Sequence, residues 1–138
     1  MIAIVDDEAA LCEATESLLK SVGYRVQTFS SAEQFLLSPW RSKVRCLLLD
    51  VRLPGMTGLD LQRYLVAEGG CLPTIFITAQ DDPEGRIYQQ AMQSGALTVL
   101  NKPFNDQDLL RVLATVMERR LSARPLTISR LLGGADRV

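Results

Sequence analysis

The feature that most constrains the fold is an alternation, repeated five times, of a short apolar run with a longer segment of helical period. Strands separated by helices lie parallel, because each helix carries the chain back to the same end of the sheet. The sequence therefore predicts an α/β domain in which helices cover both faces of a five-stranded parallel sheet. The predicted strands are residues 2–5, 24–29, 46–49, 74–77 and 97–100.

Capping signals locate several of the helices. Ser31 and Gln34 have the spacing of a capping box, and Asp82 precedes a proline at a first helical position. Asn105 is the predicted cap of the last helix. The predicted apolar faces of the first and last helices are, respectively, Leu11, Thr15, Leu18, Leu19 and Val22, and Leu109, Leu113, Val116 and Met117.

Length and composition favour one domain. The chain has 138 residues, 47% of them apolar, which is enough for one well-packed core. The alternation fills residues 1–121. Residues 122–138 contain a proline and two adjacent glycines and are predicted to be a tail, a linker or a short helix, too short for a separate output domain.

Charge and composition exclude several classes of function. The formal net charge of -1 predicts no basic face, so direct binding of nucleic acid or of an anionic membrane is not expected. The chain has no histidine, which excludes Ser-His-Asp catalysis and histidine-ligated zinc. No apolar run approaches the roughly 20 residues of a membrane span, so we expect a cytoplasmic protein. Cys12, Cys46 and Cys71 are far apart in sequence and are predicted to be reduced thiols.

Polar side chains follow four of the five predicted strands. Because the carboxyl ends of parallel strands meet at one edge of the sheet, where ligands of such sheets bind, these groups are expected to converge. Three carboxylates about 4 Å apart would repel each other by roughly 4 kcal/mol per pair at an effective dielectric near 20, so a cation or proton must offset their charge. The residues are, in chain order, Asp6 and Asp7, Asp50, Thr78, and Lys102.

These groups together predict phosphoryl chemistry. All-oxygen ligands suit a hard cation, and an open carboxylate site suits Mg²⁺ better than Ca²⁺. A carboxylate beside Mg²⁺ and a lysine is a competent nucleophile toward a phosphoryl group, with which it forms an acyl phosphate. Asp50 is the natural nucleophile, because it ends the strand expected at the centre of the sheet.

With these residues identified, the chain resembles the receiver domain of two-component response regulators over about residues 1–121. The resemblance implies a flavodoxin-like (βα)5 doubly wound fold with strand order 2-1-3-4-5. It also implies a signalling module that is phosphorylated and then changes its partners, rather than an enzyme acting on an external substrate. The motifs that carry it are VDDE at 5–8, LLDVRLPGMTG at 48–58, FITA at 76–79 and LNKPF at 100–104.

The resemblance assigns a phosphoacceptor and a metal site. Asp50 would take a phosphoryl group from a histidine kinase or a phosphotransfer protein. Asp7 and Asp50 would bind Mg²⁺ directly, with Asp6 nearby. The backbone carbonyl of Arg52 would complete the protein ligands.

The resemblance also assigns the residues that surround the phosphoryl group. Thr78 would donate a hydrogen bond to it and Lys102 would pair with it, beside a cis Lys102-Pro103 peptide. In the family an aromatic ring on the fifth strand, three residues before the lysine, rotates on activation, and here that position is Val99. The switching signal is therefore expected to travel through backbone shifts after Thr78 or through other side chains.

The implied partners are the kinase, a downstream effector protein and a second copy of the chain. Phosphorylation-dependent dimers in the family use the fourth helix, the fifth strand and the fifth helix. Arg86, Tyr88 and Arg111 are candidate contact residues on these two helices.

Alternative functions remain open. The motifs are most similar to receivers that precede a helix-turn-helix output domain, so the chain is either a stand-alone receiver, which we favour, or a fragment of such a transcriptional regulator. An aspartyl-phosphate phosphatase would need an acid at position 52, where this chain has Arg52. A flavodoxin-like electron carrier would need a phosphate-binding loop where Asp6, Asp7 and Glu8 stand. A scaffold that is never phosphorylated is the remaining alternative.

Three further residues receive no site role. Trp40 is expected to cover an edge of the sheet. Asp81 and Asp82 could extend the acidic site, but Asp82 is better explained as a helix cap.

Overall fold

Five parallel strands form one sheet in the order 2-1-3-4-5, which confirms the predicted architecture. The structure, a computed structural model, describes residues 1–70, 72–79 and 85–122, with side chains up to residue 117. The strands are β1 (Ile2–Val5), β2 (Val26–Phe29), β3 (Cys46–Asp50), β4 (Thr74–Thr78) and β5 (Thr98–Asn101).

Helices follow each of the five strands. The helix α4 begins after Gly85, whose backbone has φ +67°. The predicted cap Asp82 lies outside the described residues, as do Asp81, Cys71 and residues 123–138 of the predicted tail. The helices are α1 (Ala9–Ser21), α2 (Ala32–Leu37), α3 (Gly58–Ala67), α4 (Arg86–Gln93) and α5 (Asp106–Ser122), with a 3₁₀ turn at Arg41–Lys43.

The predicted caps of α2 and α5 are present, with one difference. The Ser31 hydroxyl accepts from the Gln34 amide at 3.1 Å, as a capping box requires. Gln34 Oε1, however, accepts at 3.0 Å from both the amide and the hydroxyl of Ser30, because Ser30 offers two donors to the same oxygen. At α5, Asn105 Oδ1 accepts from the Gln107 amide at 2.7 Å.

Alternate residues of the strands face two separate cores, as expected for a sheet that is covered on both sides. One core packs α1 and α5 against the sheet; its largest fully buried members are Ile2, Leu19, Leu48, Ile75, Leu109 and Leu113. The other core packs α2, α3 and α4 against the opposite face; its largest fully buried members are Phe35, Leu47, Leu49, Leu61 and Phe76.

The apolar face predicted for α1 is wrong at its end. Val22 is 51% exposed, because it is the C-terminal capping residue and lies beyond the last helical turn. On α5, Val112 is buried although it was not among the residues of the predicted apolar face. Trp40 precedes the 3₁₀ turn and is 48% exposed. None of the helices in the described part of the chain has the length and apolarity needed to cross a lipid bilayer.

Candidate functional site

The sheet topology brings three acidic side chains to one point. Asp6 directly follows β1, and Asp50 is the last residue of the neighbouring strand β3. Asp6, Asp7 and Asp50 each offer a carboxylate oxygen, and these oxygens lie within 4.8 Å of one another. Asp6 and Asp50 are buried, whereas Asp7 is exposed. This arrangement fits a small divalent cation, because all donors are hard oxygens and one side of the cluster is open to water.

Lys102 supplies the positive charge at this cluster. Its Nζ lies 3.0 Å from Asp6 Oδ2 and 3.2 Å from Asp50 Oδ2. The Lys102 amide also donates to the Thr78 carbonyl at 2.7 Å, which fixes the backbone of the lysine against β4. Burial opposes the charge of the ammonium, but the hydrogen bond to Asp6 and the charges of Asp50 and Asp6 raise the pKa of Lys102 above its ordinary value.

Asp50 is held by one donor on each carboxylate oxygen. Its Oδ1 accepts from the Arg52 amide at 3.0 Å, and its Oδ2 faces Lys102. The pKa of Asp50 is raised to about 6, because burial and the charge of Asp6 raise it by more than the Arg52 and Lys102 contacts lower it. The cluster therefore carries more negative charge than Lys102 alone neutralises.

Thr78 ends β4 beside this cluster and is 1% exposed. Its Oγ1 has no hydrogen-bond partner among the described residues. A buried hydroxyl without a partner is unusual in a folded protein, because the lost hydrogen bonds to water are not replaced. An incoming anionic group at the end of β4 would supply the missing acceptor.

The structure brings Asp6, Asp7, Asp50 and Lys102 together, as the predicted strand ends implied. The Lys102-Pro103 peptide is cis, as the resemblance implied. The Arg52 amide contacts Asp50, whereas the role of the Arg52 carbonyl as a metal ligand remains a prediction.

A cysteine borders the site without taking part in it. Cys12 on α1 is buried, and its Sγ donates to the Asp6 carbonyl at 3.2 Å. Burial, together with the charge of Asp6, raises the pKa of the Cys12 thiol to about 11. The thiol is therefore protonated and inert at neutral pH. Cys12 and Cys46 are both buried, and neither forms a disulfide within the described part of the chain.

Three residues around the site were missed by the sequence analysis. Gly58 opens α3 and packs against the backbone of Asp50, and its amide donates to the Val51 carbonyl at 3.0 Å. Glu8 lies 3.2 Å from Lys102 Nζ. Glu33 reaches from α2 to the loop after β3. Glu8 and Gly58 gave a signal in the sequence as members of the motifs at 5–8 and 48–58, whereas Glu33 gave none.

Glu33 stabilises the loop that follows Asp50, the candidate phosphoacceptor. Its Oε2 accepts from the Met56 amide at 2.9 Å, and this bond lowers the pKa of Glu33. Gly55 has φ +73°, and a Cβ there would lie 2.7 Å from the same oxygen. The positive φ favours glycine at position 55, and a side chain there would also displace the Glu33 carboxylate.

Replacing Glu33 with alanine is expected to speed hydrogen exchange at the Met56 amide, because its acceptor is lost. Glu33→Gln, which keeps an acceptor oxygen, should exchange nearly as slowly as the wild type. Amide exchange followed by NMR measures both. Equal rates in the alanine variant and the wild type would show that the loop is held by other contacts.

Comparisons with known proteins agree with the fold. The family model of the response regulator receiver domain matches residues 2–114. Response regulator protein TmoT of Ectopseudomonas mendocina is 42% identical over 118 residues, which are 86% of this chain and 53% of that protein. The chain therefore spans about half the length of this curated relative.

Solved structures give the same result. The response regulator StyR superposes with a TM-score of 0.74 at 38% identity, over 88% of this chain and 63% of that one. A response regulator receiver protein from Burkholderia phymatum gives 0.74 at 40% identity, over 85% of this chain and 94% of that one. The chain belongs to the receiver-domain family of two-component response regulators and is a signal-transduction module.

Proposed function

We propose that Asp50 accepts a phosphoryl group and that this modification changes which partners the domain binds. The observation that carries the proposal is the contact of the Lys102 ammonium with both Asp6 and Asp50. Asp50 is the last residue of the central strand β3. The bond between a carboxylate oxygen of Asp50 and phosphorus forms as the bond between phosphorus and the donor breaks, and the electron pair leaves with the donor. A histidine kinase or a phosphotransfer protein is the donor that membership of the receiver family favours, and this chain contains no histidine of its own.

Asp6, Asp7 and Asp50 are the residues that would hold Mg²⁺, together with the Arg52 carbonyl. The ion would neutralise charge on the carboxylates and on the phosphoryl oxygens. The chain itself orients the nucleophile, because the Arg52 amide fixes one oxygen of Asp50 and Lys102 fixes the other. Removing the ion is therefore expected to stop phosphorylation without unfolding the domain.

Thr78 and Lys102 would stabilise the phosphorylated form. The unpartnered Thr78 hydroxyl can donate to a phosphoryl oxygen, and the Lys102 ammonium can pair with another. Movement of Thr78 toward the phosphoryl group would shift the chain that follows β4. Val99 on β5 is half-buried and pairs in register with Phe76. Because valine has no ring, the rotation of an aromatic side chain that occurs at this position in other receivers is not available here.

The output of the switch depends on partners. We propose an effector protein, or a second copy of the chain docked through α4, β5 and α5, as the binding partner of the phosphorylated form. The proposed domain is 1–121, with 122–138 as tail or linker. Relatives longer than this chain, among them the transcriptional regulatory protein FixJ of Bradyrhizobium diazoefficiens, make a role within a longer regulator a second candidate.

Catalysis on external substrates is not proposed. Position 52 holds an arginine with an exposed side chain, where a phosphatase of this type needs an acid to protonate its leaving group. The domain would catalyse only its own phosphorylation and dephosphorylation.

The proposal is tested by incubating the protein with acetyl phosphate and Mg²⁺ and measuring its intact mass. We expect a gain of one phosphoryl group that a chelator prevents. Reduction of the product with borohydride, followed by peptide mapping, should place the modification on Asp50. A gain that is independent of Mg²⁺, or one that maps to another residue, would contradict the proposal.

A further inference from the structure

Lys102 has a third carboxylate partner that the phosphoryl chemistry does not require. Glu8 Oε1 lies 3.2 Å from Lys102 Nζ, the same distance as Asp50 Oδ2. Glu8 is not part of the acidic cluster of Asp6, Asp7 and Asp50. A cation bound by that cluster would be coordinated by the three aspartates, and Glu8 would still be able to pair with the Lys102 ammonium.

Glu8 covers Lys102 from the solvent side. The Glu8 side chain is 61% exposed, whereas those of Lys102, Asp6 and Asp50 are 19%, 3% and 9% exposed. A phosphodonor approaches from solvent, so it meets the Glu8 carboxylate before it reaches the ammonium. Because Lys102 cannot bind the phosphoryl group and Glu8 equally well at the same time, the two anions compete for one cation.

We propose that Glu8 is a positioning residue that holds Lys102 in the unphosphorylated domain and thereby slows phosphorylation of Asp50. The inference rests on the proposed function. It makes Glu8 a determinant of how readily small anionic phosphodonors modify the domain. The backbone amide of Glu8 donates to Asp6 Oδ1 at 2.9 Å, and this bond is kept whatever side chain stands at position 8.

The test compares three variants with the wild type for the rate of phosphorylation by acetyl phosphate at saturating Mg²⁺. Glu8→Gln removes the charge, Glu8→Asp keeps the charge but shortens the reach to Lys102, and Glu13→Gln removes an exposed charge on α1. We expect Glu8→Gln to react about two- to fivefold faster, the range of an exposed ion pair. Glu8→Asp should also be faster, and Glu13→Gln should match the wild type.

A second readout needs no phosphodonor. With ¹⁵N-labelled lysine, the Lys102 ammonium hydrogens should exchange faster with water in both Glu8 variants than in Glu13→Gln. An unchanged rate in Glu8→Gln would overturn the proposal, and so would a Glu8→Asp rate equal to the wild type, which would indicate a general charge effect. If the wild type accepts no phosphoryl group, the proposed function fails, while the ammonium signal still decides whether Glu8 holds Lys102.

Discussion

Replacing Asp50 with asparagine is expected to reduce phosphorylation to an undetectable level and to make the metal-free domain more stable at pH 7. The first effect follows because the amide is not a nucleophile toward phosphorus. The second follows because Asp50 is buried beside Asp6, where its charge is unfavourable. Intact mass after acetyl phosphate treatment, and urea unfolding, measure the two effects.

The stability gain has a defined pH dependence. In the folded domain the pKa of Asp50 is about 6, compared with 3.8 in the unfolded chain, so the folded state holds the proton more tightly between these values. Stability of the metal-free wild type should therefore fall as pH rises from about 4 to 6 and level off above that. In Asp50→Asn this decline should disappear, a difference of about 1 to 3 kcal/mol at pH 7.

Asp106→Asn is the matched control, because Asp106 is an exposed acid in the first turn of α5. It should keep full phosphorylation and the wild-type pH profile of stability. A phosphoryl mass gain in Asp50→Asn would show that another residue is the acceptor. A lower stability of that variant at pH 7 would show that Lys102 more than balances the Asp50 charge.

Replacing Gly58 with alanine is the second change with a large expected effect. A Cβ at this position would lie 2.2 Å from the Asp50 carbonyl oxygen and 3.0 Å from the Val51 Cα. These atoms are backbone, so neither can rotate away, and α3 must separate from β3. We expect a loss of about 2 to 4 kcal/mol in unfolding free energy, near the upper end for overpacking, and slower phosphorylation, since Asp50 is displaced.

Gly23→Ala separates this steric effect from the ordinary cost of losing a glycine. Gly23 has φ +99° but nothing within 4 Å of its added Cβ. It should lose only about 1 kcal/mol, the cost of a left-handed backbone with a side chain. Thermal and urea unfolding compare the two variants. Equal losses would show that α3 tolerates the extra atom by a small shift.

The fold and the chemical groups of the site could be predicted because each depends on short-range pattern. Alternating apolar runs and helical segments determine a parallel sheet, and the topology of that sheet determines where its strands end. Asp6, Asp50 and Lys102 therefore meet without any knowledge of side-chain contacts. The caps at Ser31 and Asn105 could be predicted for the same reason, since each side chain accepts from a backbone amide within four residues.

The remaining features depend on distances between elements that are far apart in sequence. The hydrogen bond from the Met56 amide to Glu33 spans 23 residues, and that from the Lys102 ammonium to Glu8 spans 94. Gly58 was visible as part of a motif, but glycine is needed there because α3 lies close to the Asp50 backbone, which only the packed structure shows. Val22 was misassigned for the opposite reason, because helical period continues in sequence past the residue where the helix ends.

The single tryptophan lies at the wrong end of the domain to report on the site. Trp40 precedes β3, whereas Asp50 is the last residue of that strand. The five residues of β3 alone separate the two ends of the sheet by about 13 Å. Intrinsic fluorescence will therefore follow denaturation but remain nearly constant during metal binding or phosphoryl transfer, so an optical assay of this receiver needs a chromophore introduced beside Asp50.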